Sequence, residues 1–350
     1  MKYLFLLAFA AFAAPAVAQN PVEAIVAAAY QAHHFNGALL AVQDGRIVSQ
    51  VAQGYANLQF GVSVTPETRF PVASVTKLFT AILTLQLVEK GLLRLDTKAS
   101  AFLPDLPAAC RAITVGELLT HHAGLKNEPL QAYQAKYTPA EFVQKFVAKD
   151  DKQPNLAFHY NNVDYILLTR LLEIATRKPF AQLVQTNILA PLAMDNSGLL
   201  NEARVIPRLA YGYHNYTFGG GTGKDTLRND GPKYLSNYAG AGALYSTVAD
   251  LHKLVQALKG NTLLSARTAA YLLTPQRPGF VDQARGYPTA GMYYNDKTFA
   301  APVLERRGSI DGFNALLLAS KDFNKIVIIL NNTDTEDLEQ LGDEVYAAMK

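Results

Sequence analysis

Cysteine is almost missing from this chain. Cys110 is the only one in 350 residues, so no internal disulfide can form, and it lies far from the N-terminus where a thiol-linked lipid anchor would attach. Any stability must come from a packed core. An excess of charge of one sign is also lacking: Lys+Arg 32 stand against Asp+Glu 29, for a net charge of +3. No Lys/Arg cluster is long enough to follow a phosphate backbone, which argues against nucleic acid as a partner. No internal repeat, low-complexity tract or Ser/Pro/Gly linker divides the chain, so one large or two intertwined domains are expected rather than an array of small ones. The His33-His34 and His121-His122 pairs lack the separated spacing of a helical zinc site and have no cysteine cluster beside them, so no metal is expected. The run from Gly219 to Asp225 imitates a phosphate loop, but Phe218 stands where the first glycine is needed and Asp225 where Ser or Thr should hold the metal. Nothing marks a nicotinamide or flavin site, and no cofactor is expected.

What is present is a chain 49% hydrophobic and 17% charged, the composition of a folded globular protein. Its start reads as an export signal: Lys2 supplies the positive charge, Leu4 to Ala14 is an uncharged apolar run, and Ala16-Val17-Ala18 has the small-x-small form of a cleavage site. The apolar run is shorter than the roughly 20 residues that span a bilayer. Cleavage after Ala18 would leave a periplasmic or secreted protein with no stable membrane anchor.

Pro21 to Ala32 reads as a helix. Ala38 to Val42 and Arg46 to Ala52 then flank Gln43-Asp44-Gly45, and Asp-Gly between apolar runs signals a hairpin. Ala315 to Ser320 and Lys325 to Leu330 repeat that pattern at the far end, before a terminal helix expected from Thr335 to Met349. The middle carries helix signals: Thr114 with Glu117 and Thr247 with Asp250 resemble capping pairs, Thr138-Pro139-Ala140-Glu141 adds Pro at the first helical position, and Val163 to Arg177 is apolar at helical spacing. The class is α+β: an antiparallel sheet flanked by helices, built from about 21–75 and 236–350, with a mostly helical subdomain over about 76–235. Residues 206–240, rich in Gly, Tyr and Asn, read as a long loop that could line a site.

The sharpest chemical feature is Ser74-Val75-Thr76-Lys77, opening a helix expected to run to about Lys90 and to stop at Gly91. Ser and Lys three residues apart share one helical face and can meet. A serine hydroxyl needs a base, and a lysine is a base only when burial disfavours its ammonium. The nearly all-apolar sequence from Val75 to Val88 offers such burial. The helix N-terminus favours negative charge at Ser74. Alone, the motif is equally an N-cap serine followed by a surface lysine.

Its context is more specific. Gly54-Tyr55-Ala56, Thr65-Pro66-Glu67-Thr68-Arg69-Phe70, the Ser74 motif, Gln86 to Gly91 and Leu93-Arg94-Leu95-Asp96, then Ile113 to Leu125, Tyr160-Asn161-Asn162 and Gly240 to Thr247 resemble, in order, the serine β-lactamase and penicillin-binding-protein superfamily, its class C-like branch in particular. The resemblance runs from about Gly37 to Leu330. It implies a β-lactamase/transpeptidase-like fold and an exported serine hydrolase that forms an acyl-enzyme on Ser74, acting on peptide, ester or β-lactam acyl groups. It further implies Lys77 and Tyr160 as catalytic partners and Asn162 as orienter of the substrate amide. Tyr-x-Asn recurs at Tyr55, Tyr213 and Tyr293, so Tyr160 is picked out by position: it precedes a long apolar helix and follows a loop containing Pro154 and Phe158.

The family's third motif, Lys or His followed by a small residue and Gly, corresponds to Arg306-Arg307-Gly308, a departure. The resemblance implies that Arg306 binds a substrate carboxylate, for which a planar fork suits well. Arg307 either crowds the groove or points away from it. Gly308 permits close approach, and the backbone N–H of Ser309 is the second oxyanion donor beside that of Ser74. The expected partner is a small-molecule or peptide acyl substrate, with D-peptidase or esterase chemistry favoured. The altered third motif leaves room for a catalytically weak binding or regulatory protein of the cell envelope. A purely structural envelope protein would lack both a closed pocket and a reactive serine.

Overall fold

The computed structural model describes residues 20–32, 35–152, 157–214, 227–276 and 286–349. The leader at 1–18, His33-His34, Pro154 and the glycine run at 219–225 therefore lie outside the described residues.

The centre is a seven-stranded sheet built from the two ends of the chain. Its strands are β1 (Gly37–Gln43), β2 (Arg46–Gln53), β3 (Tyr287–Pro288), β4 (Tyr293–Asn295), β5 (Val303–Ile310), β6 (Phe313–Ala319) and β7 (Lys325–Asn331). They lie side by side in the order β3-β4-β5-β6-β7-β1-β2, every pair antiparallel. The β1–β2 turn works as its sequence suggests: Asp44 and Gly45 both adopt positive φ, 50° and 76°, the geometry that matches the twist of a two-residue hairpin.

Both faces of the sheet are buried, so the central strands read as continuous apolar runs rather than as alternation. Leu40 and Val42 of β1, Leu317 of β6 and Ile328 of β7 point to one core, which is shared with the helices of the middle of the chain. Their neighbours Leu39, Ala41, Leu316, Leu318, Val327 and Ile329 point to a second core. That second core is closed by α1 (Pro21–Gln31) and the terminal helix α6 (Leu338–Ala348), which pack on each other. The terminal helix begins at Leu338 rather than Thr335 because the Asp337 carboxylate accepts the backbone N–H groups of Glu339 and Gln340 and so sets its first turn.

On the other side stand α2 (Thr76–Glu89), α3 (Pro139–Phe146), α4 (Asn162–Thr176) and α5 (Val248–Lys259). Thr114 and Thr138 each form a complete capping box with the glutamate three residues on, and Thr247 accepts the N–H of Asp250. Eleven of the fourteen residues of α2 are buried, as its all-round apolar character requires. Cys110 is buried in the same core. No helix among the described residues is long and apolar enough to cross a membrane. The described parts of 206–240 hold a short strand pair, Tyr213–His214 with Arg228–Asn229. They border a cavity of about 370 Å³ closed by Pro71 and Phe313, which Ser74 does not line.

Candidate active site

Ser74 sits on a single 3-10 turn, Ala73–Val75, that leads into α2. Ala73 takes a left-handed φ of 46°, a conformation that costs a non-glycine residue about 1 kcal/mol or more and persists only where the surroundings enforce it. Enforcement comes from both flanks. Val72 donates its N–H to the Leu244 carbonyl at 2.9 Å, and the Leu244 N–H donates to Thr76 Oγ1 at 3.0 Å. The result is a sharp bend that presents the Ser74 hydroxyl at the head of a buried helix.

Lys77 follows one turn later with no solvent exposure (0%). Its Nζ lies 3.0 Å from Ser74 Oγ, 2.7 Å from Asn162 Oδ1 and 2.9 Å from the Ala241 carbonyl oxygen. These three neighbours fit a neutral amine that donates to Asn162 and Ala241 while accepting the Ser74 proton. Burial pushes the Lys77 ammonium below its ordinary range; Arg306 adds to that push, while Tyr160 and Glu128 oppose it.

Tyr160 donates its hydroxyl to Ser74 Oγ at 2.7 Å, so Ser74 lies between the amine and the phenol. Burial pushes the Tyr160 phenol up, but Lys77 and Arg306 outweigh it and bring the phenol down to about 7. The Lys77 ammonium position is 4.8 Å from the centre of the Tyr160 ring. Asn161 supplies the local architecture: its side chain caps α4 by accepting the Val163 N–H at 2.6 Å, which fixes Tyr160 just before the helix and Asn162 at its first position. Asn162 in turn donates from Nδ2 to Glu128 at 2.9 Å.

The β5 strand closes the other wall. A Cβ on Gly308 would fall 2.3 Å from the Val72 carbonyl oxygen and 3.0 Å from the Ser74 nitrogen, so only glycine lets the strand pass this close to the bend. Arg306 is only 2% exposed and does not line the cavity. Its Nε donates to the Ser74 carbonyl oxygen at 2.8 Å and its Nη2 to the Tyr160 oxygen at 3.2 Å. Where a carboxylate clamp is expected, this structure has the guanidinium buried against the bend and the phenol. Arg307 neither crowds the groove nor points away. It lines the rim, with Nε donating to Glu305 at 2.8 Å and Nη1 paired with Glu339 of α6.

The cavity over Ser74 has a volume of about 320 Å³. Tyr160 and Asn162 line it beside Ser74, and Gly308 and Ser309 form its β5 wall. Glu336, Asp337 and Glu339 make its far rim acidic, and the Glu336 carboxyl is pushed up to about 7 by burial and by Asp337 and Glu344.

Four residues around the site are not singled out as site residues by the sequence. Glu128 reaches Asn162 from a loop just beyond the His121–Leu125 segment, and Tyr133 donates its hydroxyl to the same carboxylate. His121 and Asp164 pair beneath Tyr160. A charged Asp164 inside the apolar stretch Val163–Leu168 was the one available signal.

Comparison with known proteins bears on the family and the fold. A family model described as Beta-lactamase matches residues 22–348. The chain belongs to the beta-lactamase family. Putative penicillin-binding protein PbpX of Bacillus subtilis (strain 168) is 28% identical over 313 residues, 89% of this chain and 74% of that protein. Teichoic acid D-alanine hydrolase of Staphylococcus aureus is 27% identical over 323 residues, 86% of this chain and 79% of that protein. Among solved structures, D-amino acid amidase from Ochrobactrum anthropi SV3, complexed with D-phenylalanine, superposes with a TM-score of 0.81 at 23% identity, over 94% of this chain and 98% of that one. That likeness bears on the fold, a β-lactamase-type sheet with a helical subdomain.

Proposed function

We propose that this beta-lactamase-family protein is an exported serine hydrolase that acts through an acyl-enzyme on Ser74, with D-amino-acyl esters, amides and peptides as its favoured substrates. The observation that carries the mechanism is the single hydroxyl held at 3.0 Å from a buried amine and 2.7 Å from a phenol of lowered pKa. The substrate class draws support from relatives named a D-alanine hydrolase and a penicillin-binding protein, and the export from the N-terminal leader pattern.

The steps follow from proton positions. The Ser74 proton passes to the Lys77–Tyr160 pair as Oγ bonds to the substrate carbonyl carbon, and the carbonyl π pair moves onto oxygen. In this reading the backbone N–H groups of Ser74 and Ser309 hold that oxyanion, one from the bend and one from β5. Collapse of the intermediate breaks the bond to the leaving group, which takes the proton back through Tyr160. A water then repeats the sequence against the acyl ester, delivers its proton to the same pair and frees the acid and Ser74.

A fluorophosphonate probe followed by peptide mass mapping tests this reading. One adduct on Ser74, absent in Ser74→Ala, is expected; a folded wild-type protein without adduct refutes it. N-terminal sequencing of protein recovered from the periplasm is expected to begin at Gln19.

A further inference from the structure

A second titratable cluster lies directly behind the phenol, and the mechanism above does not use it. His121 Nδ1 and Asp164 Oδ2 are 2.9 Å apart, with side-chain exposures of 5% and 1%. The imidazole packs against the Tyr160 ring, centroids 4.6 Å apart at 46°, and is enclosed by Tyr165 at 5.1 Å and Phe158 at 6.0 Å. The outer atoms of the pair, His121 Nε2 and Asp164 Oδ1, are buried and find no hydrogen-bond partner among the described residues. A fold seeking stability alone would place apolar side chains of similar volume there.

Each member of the pair also grips the segment that carries the phenol. The His121 carbonyl accepts the His159 N–H at 2.8 Å, and its backbone holds a left-handed φ of 58° to do so. Asp164 lies in the first turn of α4, whose cap Asn161 immediately follows Tyr160. Residue 159 is therefore held by the His121 backbone, the face of Tyr160 by the His121 ring, and that ring by the helix that follows Tyr160.

We infer that His121 and Asp164 form a positioning pair whose polar tether fixes the Tyr160 phenol between Lys77, Arg306 and Ser74. This rests on the reading of Ser74 as nucleophile. The groups facing the pair are Lys77 and Arg306 from the catalytic side, His122 and His159 beside the imidazole, Tyr160 and Tyr165 on its faces, and Lys149 toward Asp164. Burial, reinforced by Lys77 and Arg306, holds the imidazole well below its ordinary range, and burial raises the Asp164 carboxyl. The pair therefore places no fixed charge of its own beside the phenol, and its effect is exerted through geometry.

The test follows the rate of Ser74 labelling by a fluorophosphonate, and of hydrolysis of a chromogenic ester, against pH in the full chain. In Asp164→Ala the imidazole loses its tether, the phenol drifts from Lys77 and Arg306, and the acid limb moves toward higher pH. The rate at pH 7 falls about tenfold while KM is little changed. Asp164→Asn, which keeps an acceptor for the imidazole N–H, restores most of the rate and the original limb. The double variant His121→Phe/Asp164→Leu fills the same space without polar atoms, and it is expected to remain folded and to show the same shifted limb. Wild-type limbs in folded Asp164→Ala and in the double variant overturn the pair's role alone. A wild-type protein that takes no label on Ser74 overturns the nucleophile reading and this inference with it.

Discussion

Replacing Arg306 by Gln removes one positive charge from the edge of the Tyr160 phenol while leaving a polar side chain in its place. The guanidinium donates to the Tyr160 oxygen at 3.2 Å and to the Ser74 carbonyl at 2.8 Å. Two unit charges about 4 Å apart interact by about 4 kcal/mol at the effective dielectric of about 20 that suits protein sites. Guanidinium charge is spread over three nitrogens, only one of which faces the phenol, so roughly a third of that energy is the working figure. That is about 1.4 kcal/mol, or about one pKa unit. The phenol, now at about 7, should move to about 8 in the variant. At pH 7 the phenolate fraction then falls from about a half to about a tenth, for a loss of about fivefold in kcat/KM that vanishes above roughly pH 9. Because Arg306 touches the bend and the phenol rather than the cavity, a neutral ester and a carboxylate-bearing β-lactam should lose equally. The assay is kcat/KM for both substrates from about pH 5 to about pH 10. A pH-independent loss with the acid limb unmoved refutes the electrostatic argument. A loss confined to the carboxylate-bearing substrate returns Arg306 to substrate binding.

Further perturbations follow from the same geometry. Gly308→Ala drives a methyl group into the Val72 carbonyl and the Ser74 backbone, and a displacement of about 1 Å at a nucleophile costs on the order of a hundredfold; the loss is read as slowed labelling of Ser74 in a variant that still melts cooperatively. Glu336 has its carboxyl raised to about 7, so the folded state holds that proton more tightly than the unfolded chain, and its contribution to stability falls as pH rises from about 4.5 to about 7. Glu336→Gln should therefore melt higher than wild type at pH 8 and match it at pH 4, by only a degree or two because the group is half-exposed; an equal difference at both pH values counts against the assignment. Replacing Lys77 with Met removes the amine that meets Ser74, so labelling should fall to the level of Ser74→Ala even though the side chain still fills its buried slot; a labelled Lys77→Met protein removes the amine from the mechanism.

The features legible in the sequence are those that arise locally. Ser74 and Lys77 meet because three residues make one helical turn, Asp44-Gly45 turns because both residues accept positive φ, and Thr114 and Thr138 cap because their glutamates follow at the fixed spacing. Tyr160 was found only through the order of segments shared with a family, since Tyr-x-Asn recurs elsewhere. Direction was the harder matter. Neighbours on a strand face opposite ways, so of Arg306 and Arg307 one had to go beneath the bend and the other to the rim. Only the register of β5 against β6 and the approach at Gly308 decide which. His121, Glu128 and Asp164 are joined to the site by contacts 34 to 43 residues apart in sequence, and nothing periodic marks such pairs. Ala73 carries no sign of its left-handed φ, because the two flanking hydrogen bonds rather than its own identity impose it.

The costs gathered around Ser74 point to what the site favours. Ala73 is strained, and the Lys77 amine and the Arg306 guanidinium have almost no exposure, both close to one phenol. A buried amine beside a buried guanidinium is held toward its neutral form. The same two groups favour ionisation of the Tyr160 phenol and bring it down to about 7. In the proposed reaction the Ser74 proton moves onto the Lys77–Tyr160 pair while negative charge develops on the substrate oxygen beside Ser74. The Arg306 guanidinium is already fixed against the Ser74 carbonyl and the Tyr160 oxygen when that charge develops. A site arranged in this way needs little reorganisation at the moment of reaction. The two apolar cores on either side of the sheet provide the rigidity that keeps the strained bend, the amine and the guanidinium in place.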